Sequence, residues 1–71
     1  MKLNVGITFN GDTVIIYDVQ SMERTCMKLV TGVGIAEELL MVRFINDRGL
    51  IETHVWRAAD IKKIAPYFVE E

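Results

Sequence analysis

Leu3-Asn4-Val5-Gly6-Ile7-Thr8-Phe9 carries its apolar side chains on odd positions, and after Asn10-Gly11 apolar residues return at Val14 and Ile16. Alternation with a period of two marks a strand buried on one face. Asn-Gly tolerates the positive φ angles of a two-residue type I′ turn. The stretch therefore reads as a β-hairpin that pairs Ile7 with Val14 and Val5 with Ile16. The phase of this alternation decides which residues enter the core of everything that follows.

Working outward, Gln20-Ser21-Met22-Glu23 is polar at three of four positions and reads as a second turn. Folding about it sets Ile16 opposite Met27 and Val14 opposite Leu29. The other face then pairs Ile15 with Lys28 and Tyr17 with Cys26. Thr31-Gly32-Val33-Gly34-Ile35-Ala36-Glu37-Glu38 interrupts the pattern and is expected to be a loop whose end is able to form one helical turn. Beyond it, Leu39 to Ile45 and Leu50 to Trp56 flank Asn46-Asp47-Arg48-Gly49, a third turn.

Two registers compete at that third turn. A four-residue loop ending in a left-handed Gly49 pairs Phe44 with Ile51, Val42 with Thr53 and Leu40 with Val55, leaving Arg43 beside Glu52 outside. A three-residue loop shifts the pairing by one and sets Phe44 opposite Glu52 and Arg43 opposite Thr53. The shift brings charge onto the core face, so the first register is expected.

From Arg57 onward the pattern becomes Ala58-Ala59-Asp60-Ile61-Lys62-Lys63-Ile64-Ala65, ending at Pro66. Ile61, Ile64, Ala65 and Phe68 share one face of a helix that Asp60 caps and Pro66 stops. Alternatively, Ala58 to Asp60 form a 3₁₀ turn and Ile61 to Ala65 a short closing strand. Both readings stay open on the sequence.

The 71 residues suffice for one domain, spanning positions 1–71, close to the size at which a single core only just offsets the entropy of folding. Hydrophobic residues make up 51% of the chain, and the mean hydropathy of +0.24 is high for a small domain that covers itself with polar groups. That excess points to a partner. A net charge of −2 argues against a module that holds nucleic acid by general electrostatic attraction. The single cysteine, Cys26, excludes an internal disulfide and fits a reducing compartment. No apolar run approaches the roughly 18 residues of a membrane span. Met1-Lys2-Leu3 leads straight into strand pattern rather than a signal-peptide core, so a cytoplasmic protein is expected.

His54-Val55-Trp56-Arg57-Ala58-Ala59-Asp60-Ile61-Lys62-Lys63-Ile64 resembles the closing third of SH3-like small barrels. In those barrels a strand meets a 3₁₀ turn with an acidic residue and then an aliphatic closing strand. The chain departs from SH3 domains proper in its tight Asn-Gly turn, where they have a long loop, and it lacks the aromatic cluster of a proline-recognising groove. The resemblance implies an adaptor or binding module without catalysis. The expected fold is thus all-β, about five antiparallel strands in meander order curled into a small SH3-like barrel, with a short C-terminal helical or 3₁₀ element.

Few residues carry chemistry. His54 is the sole histidine and is expected to point outward near Met41, with Glu52 on the same face; a catalytic base would need such a carboxylate or a nucleophile beside it. One Cys and one His lack the ligand spacing of a zinc site, so neither metal nor cofactor is expected. Cys26 lies between Arg24 and Lys28, which favour thiolate, yet cysteines of this kind usually serve as packing residues. Gly32-Val33-Gly34 matches neither a P-loop nor a dinucleotide fingerprint.

The outer face holds the better candidates. Ile15, Tyr17, Met41, Ile45, Leu50 and Trp56 are all expected to point away from the core, more apolar area than a monomer usually leaves wet. The C-terminal segment could fold back over it. Otherwise it is a surface for a protein partner or a second copy, with Tyr17, Met41, Ile45, Leu50 and Trp56 as contacts. The rival expectation is single-stranded nucleic acid bound by Arg43, Trp56, Arg57, Lys62 and Lys63, with the aromatic ring stacking on bases.

Overall fold

A computed structural model of the chain describes residues 1–28 and 36–70. Among them are six strands: β1 (Lys2–Thr8), β2 (Thr13–Ile16), β3 (Val19–Lys28), β4 (Ala36–Ile45), β5 (Ile51–Arg57) and β6 (Lys63–Val69). A 3₁₀ turn, Ala58–Asp60, joins β5 to β6. The strands form two antiparallel three-stranded sheets, ordered β2-β1-β6 and β3-β4-β5. The all-β expectation holds. Meander order does not: β6 returns beside β1, and no hydrogen-bonded ladder joins the two sheets into a closed barrel among the described residues.

The opening hairpin has the expected register, Val5 opposite Ile16 and Ile7 opposite Val14. Its turn differs in detail. Phe9 N–H donates to Asp12 C=O at 2.7 Å, and Gly11 takes φ 93° while Asn10 keeps a negative φ, so the turn is not type I′. Val5 and Ile7 are fully buried. They join Ile16 from the first sheet and Val19, Leu40 and Val42 from the second in one core between the sheets.

The expected turn at 20–23 is instead part of β3, and the pairings built on it are replaced. Met27 lies opposite Glu37, Cys26 opposite Glu38, Lys28 opposite Ala36 and Ile15 opposite Gly6; Leu29 lies outside the described residues. The chain turns earlier, at Tyr17-Asp18. Asp18 adopts φ 54°, its N–H donates to the Asn4 side-chain Oδ1 at 3.1 Å, and its C=O accepts the Ile45 N–H at 3.1 Å. This bend passes the chain from one sheet to the other between two buried residues, Ile16 and Val19. A bulge between Val19 and Ser21 follows, where Gln20 Nε2 donates to the Asp18 carbonyl and carboxylate. Gln20, Ser21, Glu23 and Arg24 are polar because β3 is an edge strand with one side to water, and that polarity imitates a turn, while Met22 packs against the core.

Of the expected loop at 31–38, positions 31–35 lie outside the described residues. Ala36, Glu37 and Glu38 begin β4, where a helical turn was the expectation.

The β4–β5 hairpin adopts the shifted register. Ile45 faces Ile51, Phe44 faces Glu52, Arg43 faces Thr53, Val42 faces His54 and Leu40 faces Trp56. Turn chemistry sets this choice. Asn46 N–H donates to Leu50 C=O at 2.8 Å, Gly49 N–H donates to Asn46 C=O at 2.9 Å, and Asn46 Oδ1 accepts the N–H groups of Arg48 and Leu50 at 3.0 Å each. With Gly49 at φ 77°, this is a three-residue loop closed by a left-handed glycine. The penalty for Glu52 on the inner face is avoided because that residue is exposed and bonds His54 at 2.8 Å.

At the C-terminus the 3₁₀ turn and closing strand prevail over the helix. Ile61 N–H donates to Ala58 C=O, and Lys62 N–H donates to Thr8 C=O at 2.7 Å, which docks the chain beside β1. The strand then runs past Pro66, pairing Ile7 with Ile64, Val5 with Pro66 and Leu3 with Phe68. Proline is tolerated because β6 is an edge strand.

Candidate binding surfaces

The shifted register turns β5 over. Val55, Ile51 and Thr53, expected inside, face outward opposite Met41, Ile45 and Arg43, whereas Trp56 and His54, expected outside, face inward opposite Leu40 and Val42. Trp56 is half-buried against the core and meets Phe9 with ring centroids 6.0 Å apart. His54 stands edge-on to Phe44 at 5.1 Å and to Trp56 at 5.3 Å. The result is a short aromatic ladder along the inner side of the second sheet, ending at the Glu52 carboxylate.

The outer face of the second sheet is correspondingly apolar. Met41 and Ile45 are half-buried, while Val55 is 50% and Ile51 65% exposed, and Leu50 projects from the end of the hairpin. Arg43 and Arg57 lie on this face, and Glu23 stands beside Met41 on β3. The expected contacts Met41, Ile45 and Leu50 thus gather here. Tyr17 does not join them: it sits exposed at the bend between the sheets. Ile51 and Val55 also lie on this face, though alternation alone assigned them to the core, and only the Asn46–Gly49 turn chemistry signalled otherwise.

The residues expected to bind nucleic acid are dispersed. Arg43 is on the outer face of the second sheet and Trp56 on its inner face. Lys62 and Lys63 follow the 3₁₀ turn and line a recess of about 580 Å³ with Arg24, Arg57, Glu38 and Asp60. There Arg57 Nε bonds Asp60 Oδ2 at 2.9 Å and Arg24 approaches Glu38 at 3.6 Å, so carboxylates sit against two of the four cations. An aromatic ring framed by cations is not assembled.

A larger groove, about 930 Å³, opens at the end of the molecule that carries the start of β1, the end of β6 and the β4–β5 turn. Val14, Ile15, Ile16, Tyr17 and Asp18 line it consecutively, facing Phe44, Glu52 and His54. Its charged lining is Asp18, Asp47, Glu52 and Glu70 against one lysine, Lys2.

Among the described residues, no group of three or more His, Cys, Asp or Glu is arranged to hold a metal ion, and no helix is long and apolar enough to cross a membrane. Gly32-Val33-Gly34 lies outside the described residues, and Cys26 is positioned only by its place in the β3–β4 ladder. Compared with family models, with curated proteins and with solved structures, the chain has no match.

Proposed function

We propose that this protein is a non-catalytic binding module that acts through protein contacts and associates with itself through the outer face of the β3-β4-β5 sheet. The observation that carries the reading is the apolar stripe formed by half-buried Met41 and Ile45 with exposed Val55 and Ile51. Burial of such a stripe by a partner returns about 25 cal/mol for each Å² removed from water.

Charge supports a second copy as the partner. Glu23, Met41 and Val55 stand at one level across the sheet, with Arg57 two residues further along β5. A two-fold axis parallel to the strands lays β3 of one copy over β5 of the other. Glu23 then comes within side-chain reach of the other copy's Arg57, whose guanidinium also bonds its own Asp60, twice per dimer. Three strands spaced about 4.8 Å apart and about seven residues long give a footprint of roughly 14 by 23 Å. That is about 320 Å² per copy, below the roughly 600–1,000 Å² per partner of stable interfaces, so the association is weak and concentration-dependent.

We also read the fold as an SH3-like small barrel open between its sheets. The bend that divides β2 from β3, the 3₁₀ turn and the return of β6 beside β1 support this, and such folds commonly host binding rather than chemistry.

Solution mass measured by sedimentation across a wide concentration range tests the function. Mass should rise toward a dimer, Val55→Glu should hold the chain monomeric, and Glu23→Arg should weaken association that Glu23→Arg with Arg57→Glu restores. A strict monomer at every concentration refutes self-association.

A further inference from the structure

We infer that the groove beside β2 binds an extended segment of another protein, one that alternates apolar and basic residues, by adding it as a strand to the free edge of β2. Three observations meet there. Among the described residues β2 pairs with β1 alone, so its second edge offers backbone donors and acceptors to an added strand. Val14, Ile15 and Ile16 of β2 all line the groove, and because strand side chains alternate between faces, a groove touched by all three reaches the backbone edge of the strand. The opposite wall supplies Phe44 and His54, an apolar surface on which alternate side chains of the added strand can rest.

Charge selects the sequence of the ligand. Four carboxylates against Lys2 make the lining strongly negative, and two of them, Asp18 and Glu52, are fixed by hydrogen bonds from Gln20 and His54. A basic segment is attracted and an acidic one repelled. Strand addition supplies affinity through main-chain hydrogen bonds, and the alternate side chains supply specificity. The bend at Tyr17-Asp18 closes one end, because Asp18 C=O is already taken by the Ile45 N–H. The added strand therefore stops at Ile16. This site touches the outer face of the β3-β4-β5 sheet at Ile45, which lines both, but it does not rest on self-association.

The test uses the full chain, ¹⁵N-labelled, titrated with capped peptides of alternating valine and lysine, of alternating valine and glutamate, and of valine and lysine with alternate backbone nitrogens methylated. The valine–lysine peptide should perturb the amides of 13–18 and 44–47, bind at least about tenfold more tightly than the glutamate peptide, and weaken as salt is raised. Methylation should abolish binding. Asp47→Lys combined with Glu70→Lys should reverse the charge preference, and Val55→Glu should leave peptide binding unchanged. Equal binding of both charge patterns, indifference to methylation, perturbation centred elsewhere, or no binding at millimolar peptide would each overturn the proposal. Saturation of the groove amides by a second copy of the chain, in the absence of peptide, would likewise assign the edge to self-pairing and refute it.

Discussion

Trp56 and Val55 are chain neighbours on opposite faces of β5, and replacing each in turn by alanine measures the register of the hairpin. In the observed ladder Trp56 lies opposite Leu40 on the inner face and packs against Phe9 and His54. Truncating a fully buried aromatic costs about 3–5 kcal/mol. Trp56 is half-buried, so about 2 kcal/mol is expected for Trp56→Ala by the same scaling. Val55 is 50% exposed on the outer face. Removing its two methyl carbons, at about 0.8 kcal/mol each when fully buried and half that here, should cost Val55→Ala about 0.8 kcal/mol. A domain of this length has roughly 4–10 kcal/mol of total stability. The difference between the two variants is therefore readily measured, and corresponds to about 5–10 °C in Tm. Urea denaturation followed by far-ultraviolet circular dichroism is the suitable assay, since it does not depend on the tryptophan. It should be run at two protein concentrations, because burial of Val55 by a second copy would add a concentration-dependent contribution. In the unshifted register Val55 faces Leu40 in the core and Trp56 faces solvent, so the order of the two costs inverts. A larger loss for Val55→Ala at both concentrations would refute the register and the surface built on it.

Two further outcomes test the turns. Asn4 is 8% exposed and receives the Asp18 N–H, so Asn4→Leu should leave that donor unpaired and cost about 1–3 kcal/mol; an unchanged urea midpoint would show that the bend does not depend on this bond. A Cβ at Gly49 meets no atom within 4 Å, so Gly49→Ala should cost about 1–2 kcal/mol through its left-handed backbone alone, and Gly49→Asn clearly less. Equal midpoints for the two variants would mean that the hairpin closes without a left-handed residue.

Much of the architecture was legible because period-two alternation is a local property. The β1–β2 register and the left-handed Gly49 follow from residues a few positions apart, whereas the choice between a C-terminal helix and a 3₁₀ turn with a closing strand stayed open on the sequence. The candidate surface was legible only in part. Met41, Ile45 and Leu50 are where alternation puts them, but the outward side of β5 was read one residue out of phase. Weighing charge against burial misled there, because it presumed a sealed inner face. Glu52 lies at an open end, where solvent and His54 satisfy it. The polar run at 20–23 misled for a related reason: solvated edge strands and turns have the same composition, and which one forms depends on what lies alongside.

By itself, then, the sequence determined that the chain is β-structured, where its first hairpin turns, and that more apolar surface exists than one small core can hide. Those properties reside in local backbone preference and in composition. Tertiary structure alone decided that the chain bends at Asp18 to divide its strands between two sheets, that β6 returns beside β1, and that Trp56 faces in while Val55 faces out. The first two rest on hydrogen bonds between residues far apart in the chain, Asp18 with Asn4 and Ile45, and Lys62 with Thr8, and the third on the loop length chosen between β4 and β5. A one-residue choice of loop reverses every side chain of a strand. The identity of the exposed face, and with it the surface proposed for binding, was therefore fixed by the Asn46 and Gly49 turn geometry and not by hydrophobic alternation.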